Sequence, residues 1–157
     1  MREAPITHLS VKDLSVTRGN QSILQDISFT ATAGEFIGLI GPNGAGKTSL
    51  MRAMVGLLPH GGDCSLASLS PAAKARTVSW LPQARDVAWP ISVEALVMLG
   101  RHPYPSDTKE DAKAVKHALE EMALSHLATR PATTLSGGET ARALIARCLA
   151  QSTKILL

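Results

Sequence analysis

The run Gly41-Pro42-Asn43-Gly44-Ala45-Gly46-Lys47-Thr48-Ser49 matches the pattern G-x-x-x-x-G-K-[ST] without a mismatch. Each residue type in it answers a demand of phosphate chemistry. The glycines let the backbone turn tightly enough for several N–H groups to converge on one anion. Lys47 adds a full positive charge for the β- and γ-phosphates, and Thr48 brings a hydroxyl suited to Mg²⁺. Gly41 to Ser49 therefore reads as a cradle for a nucleoside triphosphate.

Such a cradle works only between a strand and a helix. Glu35-Phe36-Ile37-Gly38-Leu39-Ile40 is a short apolar run of buried-strand type, and Lys47 to Leu57 has helical spacing. These flanks put the phosphates at a helix N-terminus, where unpaired N–H groups and the helix dipole favour anions. Upstream, Leu9, Val11, Leu14 and Val16 predict one strand, and Ile23, Ile27 and Phe29 a second, with a turn near Gly19-Asn20. Downstream, Pro59 to Gly62 breaks the pattern. Ser70-Pro71 reads as a helix cap with proline at the first helical position. Thr77 to Leu81 predicts a strand ending at Pro82-Gln83.

From Ser92 the pattern is helical. Ser92 caps Val93 to Leu99, and Ala112, Val115, Leu119 and Met122 fall on one helix face. Leu135-Ser136-Gly137-Gly138-Glu139 opens a long helix that runs to about Gln151, and Lys154-Ile155-Leu156-Leu157 has the look of a buried strand beginning. Strands, phosphate loop, a mostly helical insertion and a return to strand describe an α/β core with a helical subdomain.

Bulk properties narrow the function classes. The chain has 157 residues, 45% of them apolar and 18% charged, as globular domains do. A net charge of +3, with the basic residues dispersed, gives no nucleic-acid footprint. No apolar stretch reaches bilayer length, and Met1-Arg2-Glu3-Ala4-Pro5 lacks the apolar segment of a signal peptide. Cys64 and Cys148 are too few and too far apart for a metal knuckle or redox pair. The expected location is cytoplasmic.

Taken in order, GPNGAGKT at 41–48, a strand ending in Leu81-Pro82-Gln83, and LSGGE at 135–139 ahead of an arginine-containing helix resemble the ATP-binding subunit of an ABC transporter. The resemblance runs from about Leu9 to Leu157. In finer detail, Ser92 to Pro103, Trp80 to Gln83 and the Ala141–Arg147 helix resemble the importer branch that handles iron–siderophores, haem or cobalamin.

The resemblance implies a P-loop NTPase fold of the ABC type, with ATP and Mg²⁺ as cofactors. Residues 1–83 and 150–157 would belong to the core and 84–149 to the helical subdomain with its signature helix. Gly41, Pro42, Asn43, Gly44, Ala45, Gly46, Lys47, Thr48 and Ser49 would wrap the triphosphate, with Thr48 on Mg²⁺. Gln83 would reach the metal and the attacking water and relay nucleotide state to the membrane partner; its amide both donates and accepts without adding charge. Ser136, Gly137 and Gly138 would contact the γ-phosphate of ATP held by the opposite subunit of a homodimer. An integral-membrane permease would dock on the segment from Gln83 to Tyr104, at the inner face of the membrane. A periplasmic substrate-binding protein would take part indirectly, and nucleic acid not at all.

The sequence also departs from the family. Where an aromatic residue usually stacks on adenine, Val16-Thr17-Arg18-Gly19 offers Arg18, whose guanidinium can stack on a base. The segment Asp63 to Leu69 looks shorter than the family's strand hairpin. The family's Asp-Glu pair and sensing histidine would follow Leu157, so the resemblance implies a partial domain that grips ATP without useful hydrolysis. His8, His60, His102, His117 and His126 all precede the LSGGE motif, so none of them can take the switch role. Two other readings stay open: a non-catalytic nucleotide-binding fragment, and a soluble ABC-type ATPase outside transport.

Overall fold

The computed structural model describes residues 8–83 and 87–157, arranged as two compact units, 1–74 and 75–157. In the first, β1 (His8–Arg18) and β2 (Gln21–Thr32) form a long antiparallel hairpin, and β3 (Gly61–Cys64) pairs with the other edge of β1, giving the order β2-β1-β3. The expected strands and the turn at Gly19-Asn20 are present, longer than the apolar residues alone marked. Alternation in β1 buries Leu9, Val11, Leu14 and Val16 on one face, where Leu50, Ala53 and Met54 of α1 (Lys47–Met54) are buried as well. The ladder between β1 and β2 shifts register between Val11 and Leu14. There Asp13 takes φ 52°, its N–H donates to Ser28 Oγ at 2.8 Å, and the Ser28 hydroxyl donates to Asp13 Oδ1 at 3.0 Å. This bulge keeps the inward face of β1 apolar on both sides of the irregularity.

One expected strand is not a strand. Glu35 to Ile40 runs without a ladder partner among the described residues, and Phe36 and Ile40 are 98% and 97% exposed. The physical reason is that a strand exists through its neighbours, and no described strand lies alongside 35–40. The apolar run nonetheless leads from β2 into the loop. Glu35 closes the turn, its N–H donating to Thr32 O and its carboxylate accepting from Thr32 N at 2.8 Å.

α2 (Pro71–Thr77) begins as expected, with Ser70 Oγ accepting from Ala73 N at 3.3 Å. In the second unit, the expected strands at 77–81 and 154–157 shrink to a two-residue parallel ladder. Here β4 (Val78–Ser79) lies against β5 (Ile155–Leu156). The ladder is extended by Leu81 N donating to Leu157 O at 2.8 Å. Around it, α3 (Val93–Met98), α4 (Thr108–Glu121) and α5 (Gly137–Ala150) enclose a core built on Val93, Val97, Val115, Leu119, Leu124 and Leu144. Val115 and Leu119 lie on the apolar face that the sequence marks, whereas Ala112, marked with them, is exposed and Ala118 is buried instead. α3 continues as a 3₁₀ turn over Leu99–Arg101 instead of ending at Leu99. It packs so tightly on α5 that a Cβ on Gly100 would strike the Arg147 carbonyl. A polar clasp secures that contact. Arg101 Nε donates to Asp111 Oδ1 at 2.7 Å, its Nη1 to Ala150 O at 3.1 Å, and the Tyr104 hydroxyl to Gln151 O at 2.8 Å.

Candidate functional site

Gly41 to Ser49 lies in the first unit, between the unpaired apolar segment and α1. The loop reverses through Gly44 and Gly46, whose φ values of 85° and 87° are costly for any residue with a Cβ. Gly46 carries a second constraint: a Cβ there would lie 2.7 Å from Leu24 Cδ2 and 3.3 Å from Ile23 O. The hairpin thus lies directly against the loop and sets its height.

The head of α1 differs from those of the other helices. Ser70, Ser92, Asp107 and Ser136 each accept a backbone N–H at the start of α2, α3, α4 and α5. At α1 the N-cap is Gly46, no side chain caps it, and the first turn contains no acidic residue. An uncapped helix head with converging glycine backbone and no local carboxylate is a site for an external anion. Lys47 stands at the same point. Its Nζ donates to the carbonyls of Gly41 and Pro42, both at 2.8 Å, so two of the ammonium's donors brace the loop and one remains. Ala45 N donates to Pro42 O at 3.2 Å, closing the turn across Asn43 and Gly44. Thr48 and Ser49 occupy the first turn, with Thr48 exposed. Residues of these types at a helix head fit a triphosphate with its Mg²⁺. Among the described residues no cluster of His, Cys, Asp and Glu could hold a metal of its own.

An apolar cleft of about 250 Å³ lies beside the loop, walled by Leu24 and Phe29 from β2 and by Ile37 and Leu39 from the unpaired segment. Its lining is mostly apolar, with Lys47 its one charged member. Arg18 ends β1, exposed and opposite Gln21. The expectation of a base-stacking group there rests on its place at the hairpin end.

The remaining candidates belong to the second unit. Gln83 is exposed in a bend just after β4 and Pro82. The expected docking segment from Gln83 to Tyr104 includes residues 84–86, which lie outside the described residues. Its described part exposes Trp89 to 70% and Leu99 to 48%.

Ser136, Gly137 and Gly138 stand at the head of α5, all exposed. This head is closed by a capping box: Glu139 N donates to Ser136 Oγ at 3.3 Å, and Ser136 N donates to Glu139 Oε2 at 2.7 Å. The Ser136 hydroxyl also donates to Glu139 Oε2, at 2.8 Å. The Ser136 N–H and then its hydroxyl hold the Glu139 carboxyl below its ordinary value, with Arg130 and Arg142 adding attraction. The sequence marks Ser136 to Gly138 and assigns Glu139 no role, although S-x-x-E is the spacing of a capping box. The clasp of Arg101, Tyr104, Asp111 and Gln151 was not legible, since its members are distant in the chain.

Known proteins share this fold. The family model described as "ABC transporter" matches residues 24–157. Over 157 aligned residues, the chain is 38% identical to the "Cobalamin import ATP-binding protein BtuD" of Halobacterium salinarum, covering 95% of this chain and 39% of that protein. Over 150 residues, it is 39% identical to the "Hemin import ATP-binding protein HmuV" of Bordetella pertussis, covering 91% and 57%. Among solved structures, cbiO1 of Clostridium perfringens, described as part of the ABC transporter complex cbiONQ, superposes with TM-score 0.82 at 25% identity. That match covers 94% of this chain and 63% of that one. The chain therefore spans only 39% and 57% of the curated relatives it matches.

Proposed function

The chain belongs to the ABC transporter family, and from that premise we propose that it is the ATP-binding, energy-coupling part of an importer for a metal chelate. Its fold is that of the family's P-loop NTPase domain. The observation that carries the proposal is the head of α1, which lacks a side-chain cap where α2, α3, α4 and α5 each have one and which Lys47 overhangs. A triphosphate completes this helix end as a cap would, with far more charge. Residues 1–83 and 150–157 act as the core and 84–149 as the helical subdomain.

In this reading Gly41 to Ser49 surround the phosphates, Lys47 neutralises the outer ones, and the Thr48 hydroxyl holds Mg²⁺. Arg18 lies against the base, and Gln83 acts at the metal and the attacking water. Bound Mg²⁺ would supply charge neutralisation across the β- and γ-phosphates. Ser136, Gly137 and Gly138 act across a two-subunit interface, on ATP held by the opposite copy. ATP then joins two subunits because each triphosphate is shared, and closure follows from differential affinity for that state.

The partners are an integral-membrane permease and, through it, a periplasmic binding protein, with the chain peripheral on the inner face of the membrane. Two features support this placement. No helix among the described residues is long and apolar enough to cross a bilayer, and exposed Trp89 and Leu99 offer an apolar contact. Relatives named for cobalamin and hemin import, both metal-bearing macrocycles, support the chelate class.

The test is a titration of the purified chain with a fluorescent ATP analogue, with and without Mg²⁺. Saturable binding that Lys47→Ala weakens by roughly 10- to 150-fold is expected, since hydrogen bonds to charged groups are worth about 1.5–3 kcal/mol. Binding that is absent, or indifferent to Lys47→Ala, overturns the reading.

A further inference from the structure

The head of α5 is the converse of the head of α1. We propose that Glu139 is a built-in competitor for the phosphate at Ser136–Gly138, its carboxylate occupying the donors that an incoming γ-phosphate needs. The proposal rests on reading those residues as a phosphate contact.

The hydrogen bonds define the competition. A serine hydroxyl has a single proton, and that of Ser136 is given to Glu139 Oε2 at 2.8 Å. The same oxygen accepts the Ser136 backbone N–H at 2.7 Å. Ser136 cannot donate its hydroxyl proton to a phosphate until the carboxylate releases it. Elsewhere the approach is clear: a Cβ built on Gly137 or Gly138 meets nothing within 4 Å. Glu139 is therefore the group at this helix head whose own contacts must be exchanged.

The exchange leaves the carboxylate provided for. Arg130 and Arg142 both attract it. Arg130 is held in place by its own bonds, Nε to Thr134 Oγ1 at 2.9 Å and Nη2 to Thr134 O at 2.8 Å. A displaced Glu139 gives up two neutral donors, the Ser136 N–H and hydroxyl, and keeps the attraction of both guanidinium groups. Charge also acts directly, because a carboxylate beside a phosphate repels it. At an exposed site such a term is modest, in the range of exposed ion pairs, and corresponds to about two- to fivefold in affinity. The result is a contact that a single weak anion does not satisfy and that a multiply charged, well-placed phosphate can win. Glu139 thereby discriminates by charge and keeps the helix head satisfied while no phosphate is present.

Glu139→Gln isolates this effect, because glutamine keeps the capping box and removes the charge. The probe is inorganic triphosphate with Mg²⁺, added to the isotopically labelled 157-residue chain, with backbone amides followed by NMR. The expected result is half-saturation of the Ser136, Gly137 and Gly138 amides at a two- to fivefold lower concentration in Glu139→Gln, with the Gly44 to Lys47 amides responding equally in both proteins. Equal or weaker binding at the α5 head in the variant overturns the proposal while leaving the ATP-site reading intact. Silence at both helix heads overturns the reading and the proposal with it.

A measurement on the unsubstituted chain needs no variant to fold. The Glu139 Cδ resonance should shift as the α5 amides saturate, because its hydrogen bonds are exchanged. An unmoved carboxylate beside responding amides overturns the proposal.

Discussion

Gly46→Ala tests whether the hairpin sets the height of the phosphate loop. The alanine must adopt φ 87°, which for an L-residue costs about 1–2 kcal/mol. Its Cβ would also lie 2.7 Å from Leu24 Cδ2, 3.3 Å from Ile23 Cγ2 and 3.3 Å from Ile23 O. The Leu24 methyl is the end of a flexible side chain and can rotate away. The Ile23 carbonyl belongs to β2 and cannot, so the crowding adds about 1 kcal/mol, the cost of overpacking a tight contact. The sum is about 2–3 kcal/mol.

How that strain is expressed depends on the empty loop. Gly41 to Ala45 are exposed, so without nucleotide the loop can relax and part of the strain disappears. Triphosphate binding restores the converged conformation and with it the full cost. Stability loss, from urea melts of the empty chain, and affinity loss, from nucleotide titration, should therefore add up to about 2–3 kcal/mol. Borne wholly by binding, this is a roughly 30- to 150-fold weaker affinity at about 1.4 kcal/mol per decade. Gly38→Ala is the control: it has nothing within 4 Å and no positive φ, and should move neither quantity by more than about 0.5 kcal/mol. A combined loss below about 0.5 kcal/mol in Gly46→Ala refutes the close approach.

Two further outcomes follow from the second unit. Arg101→Met strands the Asp111 carboxylate and the Ala150 carbonyl. Because both ion-pair side chains are only 12–13% exposed, denaturant melts should show a loss of about 2–4 kcal/mol, somewhat less than for a fully buried pair; a loss under about 1 kcal/mol would make the clasp incidental. The Glu139 carboxyl, held below its usual value of 4.5 by the Ser136 donors, stabilises the α5 cap above that pH. The contribution is lost as pH falls through the lowered folded value. An NMR acid titration should place the Glu139 midpoint below 4.5, and a midpoint at or above it contradicts the cap geometry.

What the sequence disclosed depended on whether the determining contacts were local. The phosphate loop, the Ser70 and Ser92 caps and the Val115 and Leu119 positions of α4 are fixed by residues within a turn or two of one another and stand where the spacing put them, while Ala112, expected on the same face, is exposed. Glu35 to Ile40 shows the opposite case. Its composition asks for burial in a sheet, but strand structure is a property of pairs, and no described strand pairs with it. The clasp at Arg101 was hidden for a related reason. Asp111 is ten residues away and Ala150 is forty-nine, so only the folded core brings them to one guanidinium. Likewise Gly46 was legible as a turn residue, while its second constraint, the contact with Leu24, depends on where the hairpin lies.

The two helix heads together say more than either motif does. Both α1 and α5 begin with glycine-rich backbone, yet one is left without a cap and the other is closed by its own carboxylate. An uncapped head with Lys47 beside it gains from any phosphate that arrives, so binding there should be strong and weakly dependent on other partners. A head already satisfied by Glu139 gains only the difference between phosphate and carboxylate, so it should engage later and more weakly than the first. If the second head acts on nucleotide gripped by the first head of another copy, this asymmetry orders the events: ATP loads at Lys47 first, and association follows. Removing the Glu139 charge should therefore tighten the second step without altering the first, an order that kinetic separation of nucleotide binding from subunit association can test.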